Sequence, residues 1–310
     1  MKYTKIEIKD LIRSNHISKD QHAIYDYKFQ TNMRDAPWYK WLNKPGYFEC
    51  KDEYITEIHK WIHSTELNTI KGLENYPIRD MIIGTTQAFD EAYYEFKGKT
   101  LRIFRGEYGY HKRIFGENNT EYLDSETGDY IGLNKNDWVI LSQPFCGTGE
   151  ECEHLYTMLD DALEKNVPVL IDCAWLGTCK DINFDFRHPA ITYVCFSISK
   201  GIGLGNMRSG IRYSRKRNEG IINFQNDYNH LVLISAQIGI HQMKTFSPDF
   251  IPNKYYNAYI EVCKDLDVKS TKCMHMAIAP FGEYWNEFIN GRLNKIGIRK
   301  LVKEKYKCLR

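Results

Sequence analysis

The segment Ser197-Ile-Ser-Lys200-Gly-Ile-Gly-Leu-Gly-Asn-Met-Arg208 sets a lysine between two serines and a glycine-rich turn, with an arginine eight residues on. Hydroxyls, free backbone N–H groups and a forked guanidinium are what a phosphate dianion needs. A lysine held beside them in a partly desolvated pocket can lose its proton and form a Schiff base with a carbonyl compound. A lysine capping a strand before an ordinary loop is the plainer alternative. Gly84-Thr85-Thr86 is a second candidate phosphate cup, since helix-start amides and two hydroxyls converge there, although the same turn is also an ordinary N-cap. Asp172 closes an apolar run, where a carboxylate either caps the next turn or faces a ligand. His59 and His63 have the i, i+4 spacing of a metal pair, but no third ligand is evident and a solvated helix face accounts for them better. Cys146 has His154 nearby in sequence without any local signature of a cysteine nucleophile.

These residues need elements to hold them. Residues 79–85 read as a strand ending in Gly-Thr, and residues 87–96 as a helix. Residues 101–105 and 138–142 are strand-like, and 152–164 have helical spacing. Residues 167–173 and 191–197 are near-continuous apolar runs, as expected of strands covered on both faces. The alternation predicts an α/β fold with a doubly wound, mainly parallel sheet. Ligands of such sheets bind beyond the carboxyl ends of the strands, and Gly84 to Thr86, Gln143, Asp172 and Ser197 to Lys200 all follow strands. Residues 231–244 and 255–264 look helical, and short strands with a basic last helix follow. This predicts a large domain over 49–245 and a smaller α+β unit built from 1–48 and 246–310. The N-terminal arm is expected to be irregular and aromatic (Trp38, Tyr39, Trp41) and packed on the small unit.

Together the segments resemble the fold-type-I aminotransferases of classes I and II, whose signature is Ser-x-[Ser/Ala]-Lys, a glycine-rich turn, then Arg-x-Gly. The resemblance implies pyridoxal 5'-phosphate as cofactor, with Lys200 forming the Schiff base. It implies that Ser197 and Arg208 hold the phosphate, Ser199 supports them, and Gly84, Thr85 and Thr86 complete the cup. Asp172, 28 residues before Lys200, would pair with the pyridine nitrogen, so that the ring can absorb the electron pair left at the substrate α-carbon. Arg105-Gly-Glu-Tyr108-Gly-Tyr110 resembles the segment whose aromatic stacks on that ring, with Tyr108 the first choice and Tyr110 the second. Gly291-Arg292-Leu-Asn294-Lys-Ile-Gly297 resembles the element whose arginine grips the substrate α-carboxylate, a role this assigns to Arg292. Tyr47 falls near the tyrosine that reaches the partner subunit's phosphate. A homodimer with shared sites is expected.

The pattern departs from the family at two places. Cys146 stands where a second asparagine is usual, in Ser142-Gln143-Pro144-Phe145-Cys146-Gly147-Thr148-Gly149, and Trp175 stands where tyrosine is usual. Both missing residues donate hydrogen bonds to the cofactor's phenolic oxygen, and Gln143 and the Trp175 indole are the available substitutes. Transfer of an amino group from an amino acid to a 2-oxo acid is the expected reaction. Decarboxylation, elimination, racemisation or condensation on the same cofactor is the alternative, and a non-catalytic binding protein the remote one. A net charge of +2 directs the chain neither to nucleic acid nor to an anionic membrane. No apolar run approaches the roughly 20 residues of a membrane span, and the start MKYTKIEIKD lacks a signal-peptide core. Nine cysteines without a CxxC pair predict reduced thiols and a cytoplasmic setting.

Overall fold

A computed structural model describes residues 2–43 and 50–309; Tyr47 lies outside the described residues. Beside a short parallel pair, β1 (Thr69–Lys71) with β7 (Asn183–Asp185), stands a seven-stranded sheet. Its strands are β2 (Ile78–Ile82), β3 (Thr100–Ile103), β4 (Thr120–Tyr122), β5 (Asp137–Ser142), β6 (Val169–Cys173), β8 (Ile191–Ser197) and β9 (Gly210–Ser214). They stand in the order β2-β9-β8-β6-β5-β3-β4. β2 and β8 pair antiparallel with β9, and every other pairing is parallel. Val139, Leu141, Val169, Ile171, Val194 and Phe196 face one core, while Ile140, Leu170, Tyr193 and Cys195 face another. That two-residue period explains why these strands read as unbroken apolar runs.

Helices cover both faces. Against the first core lie α4 (Cys50–His63), α7 (Leu155–Lys165) and α9 (Leu233–Thr245). Gly239 lets α9 meet α4 closely, because a Cβ there would stand 2.8 Å from the Tyr54 ring. Against the second core lie α5 (Thr85–Glu95), α6 (Tyr110–Phe115) and α8 (Ile221–Asp227). Buried Arg212 on β9 ties this face together, binding Asp80 of β2 at 2.9 Å, Glu91 of α5, and Asn223 of α8 at 3.2 Å.

A smaller antiparallel sheet runs β10 (Lys269–Ser270), β11 (Met276–Ala279), β13 (Leu293–Gly297), β12 (Ile289–Asn290), beside α10 (Phe250–Leu266) and α11 (Arg299–Cys308). The N-terminal arm departs from expectation. It is helical, as α1 (Lys5–Arg13), α2 (Tyr27–Arg34) and α3 (Trp38–Leu42), and α1 begins in a reciprocal Thr4–Glu7 capping box. Its first part meets the helices of the small sheet through Tyr3 N–H to the Asp265 carbonyl and His16 to Glu304. Fully buried Phe29 carries α2 onto α10 of that unit and onto α9 of the large one, its ring 4.9 Å from that of Phe246. Among the described residues no helix is long and apolar enough to cross a membrane.

Candidate active site

Parallel strands end on one edge, so the chain segments leaving β2, β3, β5, β6 and β8 converge there. They enclose a cavity of about 390 Å³. Lys200, three residues past β8, lines it with its Nζ 5.3 Å from the centre of the Trp175 ring. Burial pulls its ammonium below the ordinary lysine range, and the Asp172 carboxylate draws it partly back. Asp172, 7% exposed, is pushed up to about 6 by burial; Lys200 and hydrogen bonds from the Ala174 N–H (3.0 Å) and the Thr85 hydroxyl act against that shift. Among the described residues Asp172 makes no ion pair at contact distance.

At one end of the cavity α5 starts at Gly84 without a side-chain cap, so Thr85 and Thr86 present first-turn amides and hydroxyls. Arg208 lies across this end, its Nη2 3.0 Å from the Thr86 hydroxyl and its Nε donating to the Ile83 carbonyl. Gly84 has φ +108°, and a Cβ there would sit 2.7 Å from the Arg208 guanidinium, so glycine answers both demands. Ser197 donates to the Ser199 hydroxyl at 2.9 Å, and both line the cavity. Tyr108 lines it as well and is held by Glu107; Tyr110 instead bonds Asp90. Trp175 and Cys146 are also in the wall.

Two expected residues are elsewhere. Gln143 is buried with its amide towards the Asn183 carbonyl (3.4 Å), because successive residues leaving β5 face opposite sides and Ser142 takes the inward place. Arg292 lies at the β12–β13 turn, bonded to the Thr127 carbonyl (3.2 Å) and paired with Asp124 (3.4 Å), and lines a separate cleft. Lys295, within β13, instead reaches the back of the cavity wall at Cys146. It is 1% exposed, and its Nζ donates to the Cys146 carbonyl at 2.8 Å and lies 3.6 Å from Sγ. Burial pushes the Cys146 thiol up, while Lys295 and Lys200 oppose this. His154, the sequence neighbour of Cys146, bonds the Gly128 carbonyl instead. The His59–His63 pair is not a bare solvated face: His59 bonds the Tyr213 hydroxyl at 3.0 Å.

Sequence reading missed four contributors. Lys295 is one; its signal was a lysine inside the short strand Leu293–Gly297. Glu107 is buried and accepts from Ser142 and the Tyr108 N–H, so it ties the β3 and β5 connections into one floor. His275 is buried edge-on to Trp175, 4.7 Å between ring centres. Lys19 to His22 complete the wall, because Ser18 pairs with Gly297 beside β13.

No protein-family model matches the chain, and no curated protein matches it. Solved structures do. An aminotransferase from Helicobacter pylori 26695 aligns over 93% of this chain and 90% of its own, with 13% identity and a TM-score of 0.63. The aromatic aminotransferase from Pyrococcus horikoshii OT3 aligns over 93% of each chain, with 13% identity and a TM-score of 0.64. A PLP-bound C-S lyase from Staphylococcus hominis aligns over 83% of this chain and 80% of its own, with 14% identity and a TM-score of 0.59. The chain has the fold of these enzymes. In that fold the cavity around Lys200 lies where the parallel strands end.

Proposed function

We propose that the chain is a pyridoxal-phosphate-dependent enzyme that moves the amino group of an amino acid to a 2-oxo acid, working as a homodimer in the cytoplasm. One observation carries the reading: Lys200 and Asp172 share an enclosed cavity in which burial disfavours both charges. The donor set fits the cofactor. Thr85, Thr86, Ser197, Ser199 and Arg208 supply the hydroxyls, amides and guanidinium for its phosphate, and Asp172 is a buried carboxylate with no ion pair among the described residues, as a ring N–H requires. Bound there, pyridoxal phosphate supplies an electron sink for the pair left at the substrate α-carbon.

The residues of the chain do the rest. Asp172 accepts and holds the ring proton. Lys200, its charge weakened by burial, is the amine that would hold the cofactor and can give up or carry a proton at Nζ. Tyr108 covers a face of the ring. Lys295, fixed by the Cys146 carbonyl, offers its remaining N–H groups to the substrate α-carboxylate. Lys19 to His22 help keep water out.

Addition of pyridoxal phosphate to the purified protein is expected to give a visible absorption band that Lys200→Ala removes. An amino acid should bleach the band and a 2-oxo acid restore it. A colourless protein that ignores the cofactor overturns the assignment. The Cys146 thiol and Trp175 indole, in place of the usual amide and phenol, favour one second reading, elimination or another reaction on the same cofactor. Product release from an amino acid with no 2-oxo acid present would select it.

A further inference from the structure

We infer that Cys179 and Cys273 form a thiol–disulfide site, which on oxidation joins the large sheet to the small one beside the cavity. Cys179 lies on the segment between β6 and β7, and Cys273 on the segment between β10 and β11. The two segments meet as an isolated antiparallel bridge in which these cysteines stand directly opposite each other. The Lys180 N–H donates to the Lys272 carbonyl at 3.0 Å, and the Met274 N–H to the Thr178 carbonyl at 2.9 Å. The hydrogen bonds flank the cysteines and none joins them. That is the close kind of antiparallel pair, with Cα atoms about 4.5 Å apart and both side chains on one face. A disulfide spans Cα separations of about 4.4 to 6.8 Å, so the backbone can accept one as it stands.

Both residues are fully buried, and all nine cysteines are free thiols. Burial raises both thiols above the ordinary range, and at Cys273 the neighbouring Cys179 is the next cause. The Cys179 thiol makes one long contact, 3.8 Å to the Asn68 side-chain oxygen, which the bridge would replace. Cys173 and Cys195 also sit on neighbouring strands, but they face opposite cores and cannot pair. The position of the pair matters for the site. Thr178 bonds back to the Trp175 carbonyl through its N–H and its hydroxyl, at 3.0 and 2.8 Å. Two residues past Cys273, His275 stands edge-on to Trp175. A bond between the cysteines would therefore fix the Trp175 side of the cavity wall, borne by the large sheet, to its His275 backing, borne by the small one.

The oxidant is a small disulfide such as oxidised glutathione. One thiol loses its proton and attacks a glutathione sulfur, releasing one glutathione thiolate; the second then displaces the other glutathione from the mixed disulfide. Two protein thiols and one glutathione disulfide become one protein disulfide and two glutathione thiols, with two electrons passing to glutathione. Burial keeps both thiols protonated and shielded, so the exchange waits on local opening of the two segments.

The test does not depend on the function proposed above. Freshly reduced protein is held with oxidised glutathione below its unfolding midpoint until exposed Cys308 has taken up glutathione, then alkylated in denaturant and mapped by mass spectrometry. Cys179 and Cys273 should escape alkylation together and appear in one cross-linked pair of peptides that dithiothreitol separates. The thermal midpoint of the oxidised protein should rise by about 5–10 °C and fall back on reduction, since the bond closes a loop of about 90 residues. Cys179→Ala and Cys273→Ala should each show no such difference between oxidised and reduced forms. Cys179 and Cys273 remaining thiols while Cys308 is modified overturns the inference. So does a bridge from Cys273 to Cys146, or a cross-link that lowers the midpoint.

Discussion

Lys200 and Asp172 show how a site is made from charges that burial disfavours. Among the described residues neither group has a direct ionic partner at contact distance, and enclosure displaces each from its ordinary protonation equilibrium while the charge of the other draws it partly back. Such displaced groups are suited to proton transfer near neutral pH. At the same scale Lys295 and Arg292 separate clearly. Lys295→Met is expected to raise KM for an amino-acid substrate by about ten- to a hundredfold, with a smaller effect on kcat. Arg292→Met, at a residue outside the cavity, should leave both within about twofold. Steady-state kinetics of the two variants decide between the cations, and the reverse result would return the carboxylate to Arg292.

The elements explain why the site stands where it does. The cup at the start of α5 is only as rigid as the packing of that helix, and Arg212 holds α5 and α8 to β2 and β9 through Glu91, Asp80 and Asn223. Arg212→Met leaves two carboxylates in the core without their cation. It should lower the unfolding free energy by about 3–5 kcal/mol, read as a shift of the urea midpoint. A near-normal midpoint would mean that the cluster does not anchor the helix. β2, β3, β5, β6 and β8 and the helices α5, α7, α9 and α10 were legible from their apolar periods, whereas α6, β4, β7, β9 and α8, at three to seven residues each, were not. Nor was the arm: α2 and α3 are short, and α2 is held by contacts of Asp26, Phe29 and Asn32 with residues 242–255, more than 200 positions away.

For the molecule as a whole the buried carboxylate has a consequence in pH. The native state keeps the Asp172 proton up to about pH 6, and the unfolded chain releases it near the ordinary carboxylate value of 3.8. Between these limits the native state binds more protons, so this contribution to stability is present at low pH and lost as pH rises through the window. Asp172→Asn should flatten that part of the curve in cofactor-free protein, by on the order of 2–3 kcal/mol. Denaturant titrations from about pH 4 to about pH 7 check this, and identical slopes in the two proteins would contradict it.

Local order along the chain was enough to identify what depends on local order. The lysine, its hydroxyls, the glycine turn and the strand-end aspartate lie on the neighbouring strands β6 and β8 and the loops that leave them, and the glycine at 84 follows from the backbone geometry of its own turn. Side-chain facing across long separations was not available in that way. Lys295 meets Cys146 across 149 positions, Gln143 loses its place to Ser142 by a single step of strand pleat, and the bridge that pairs with Gly297 at the end of β13 comes from Ser18 near the start of the chain. Tertiary packing decided those, because parity and strand pairing, not residue type, determine which of two neighbouring polar groups enters the cavity.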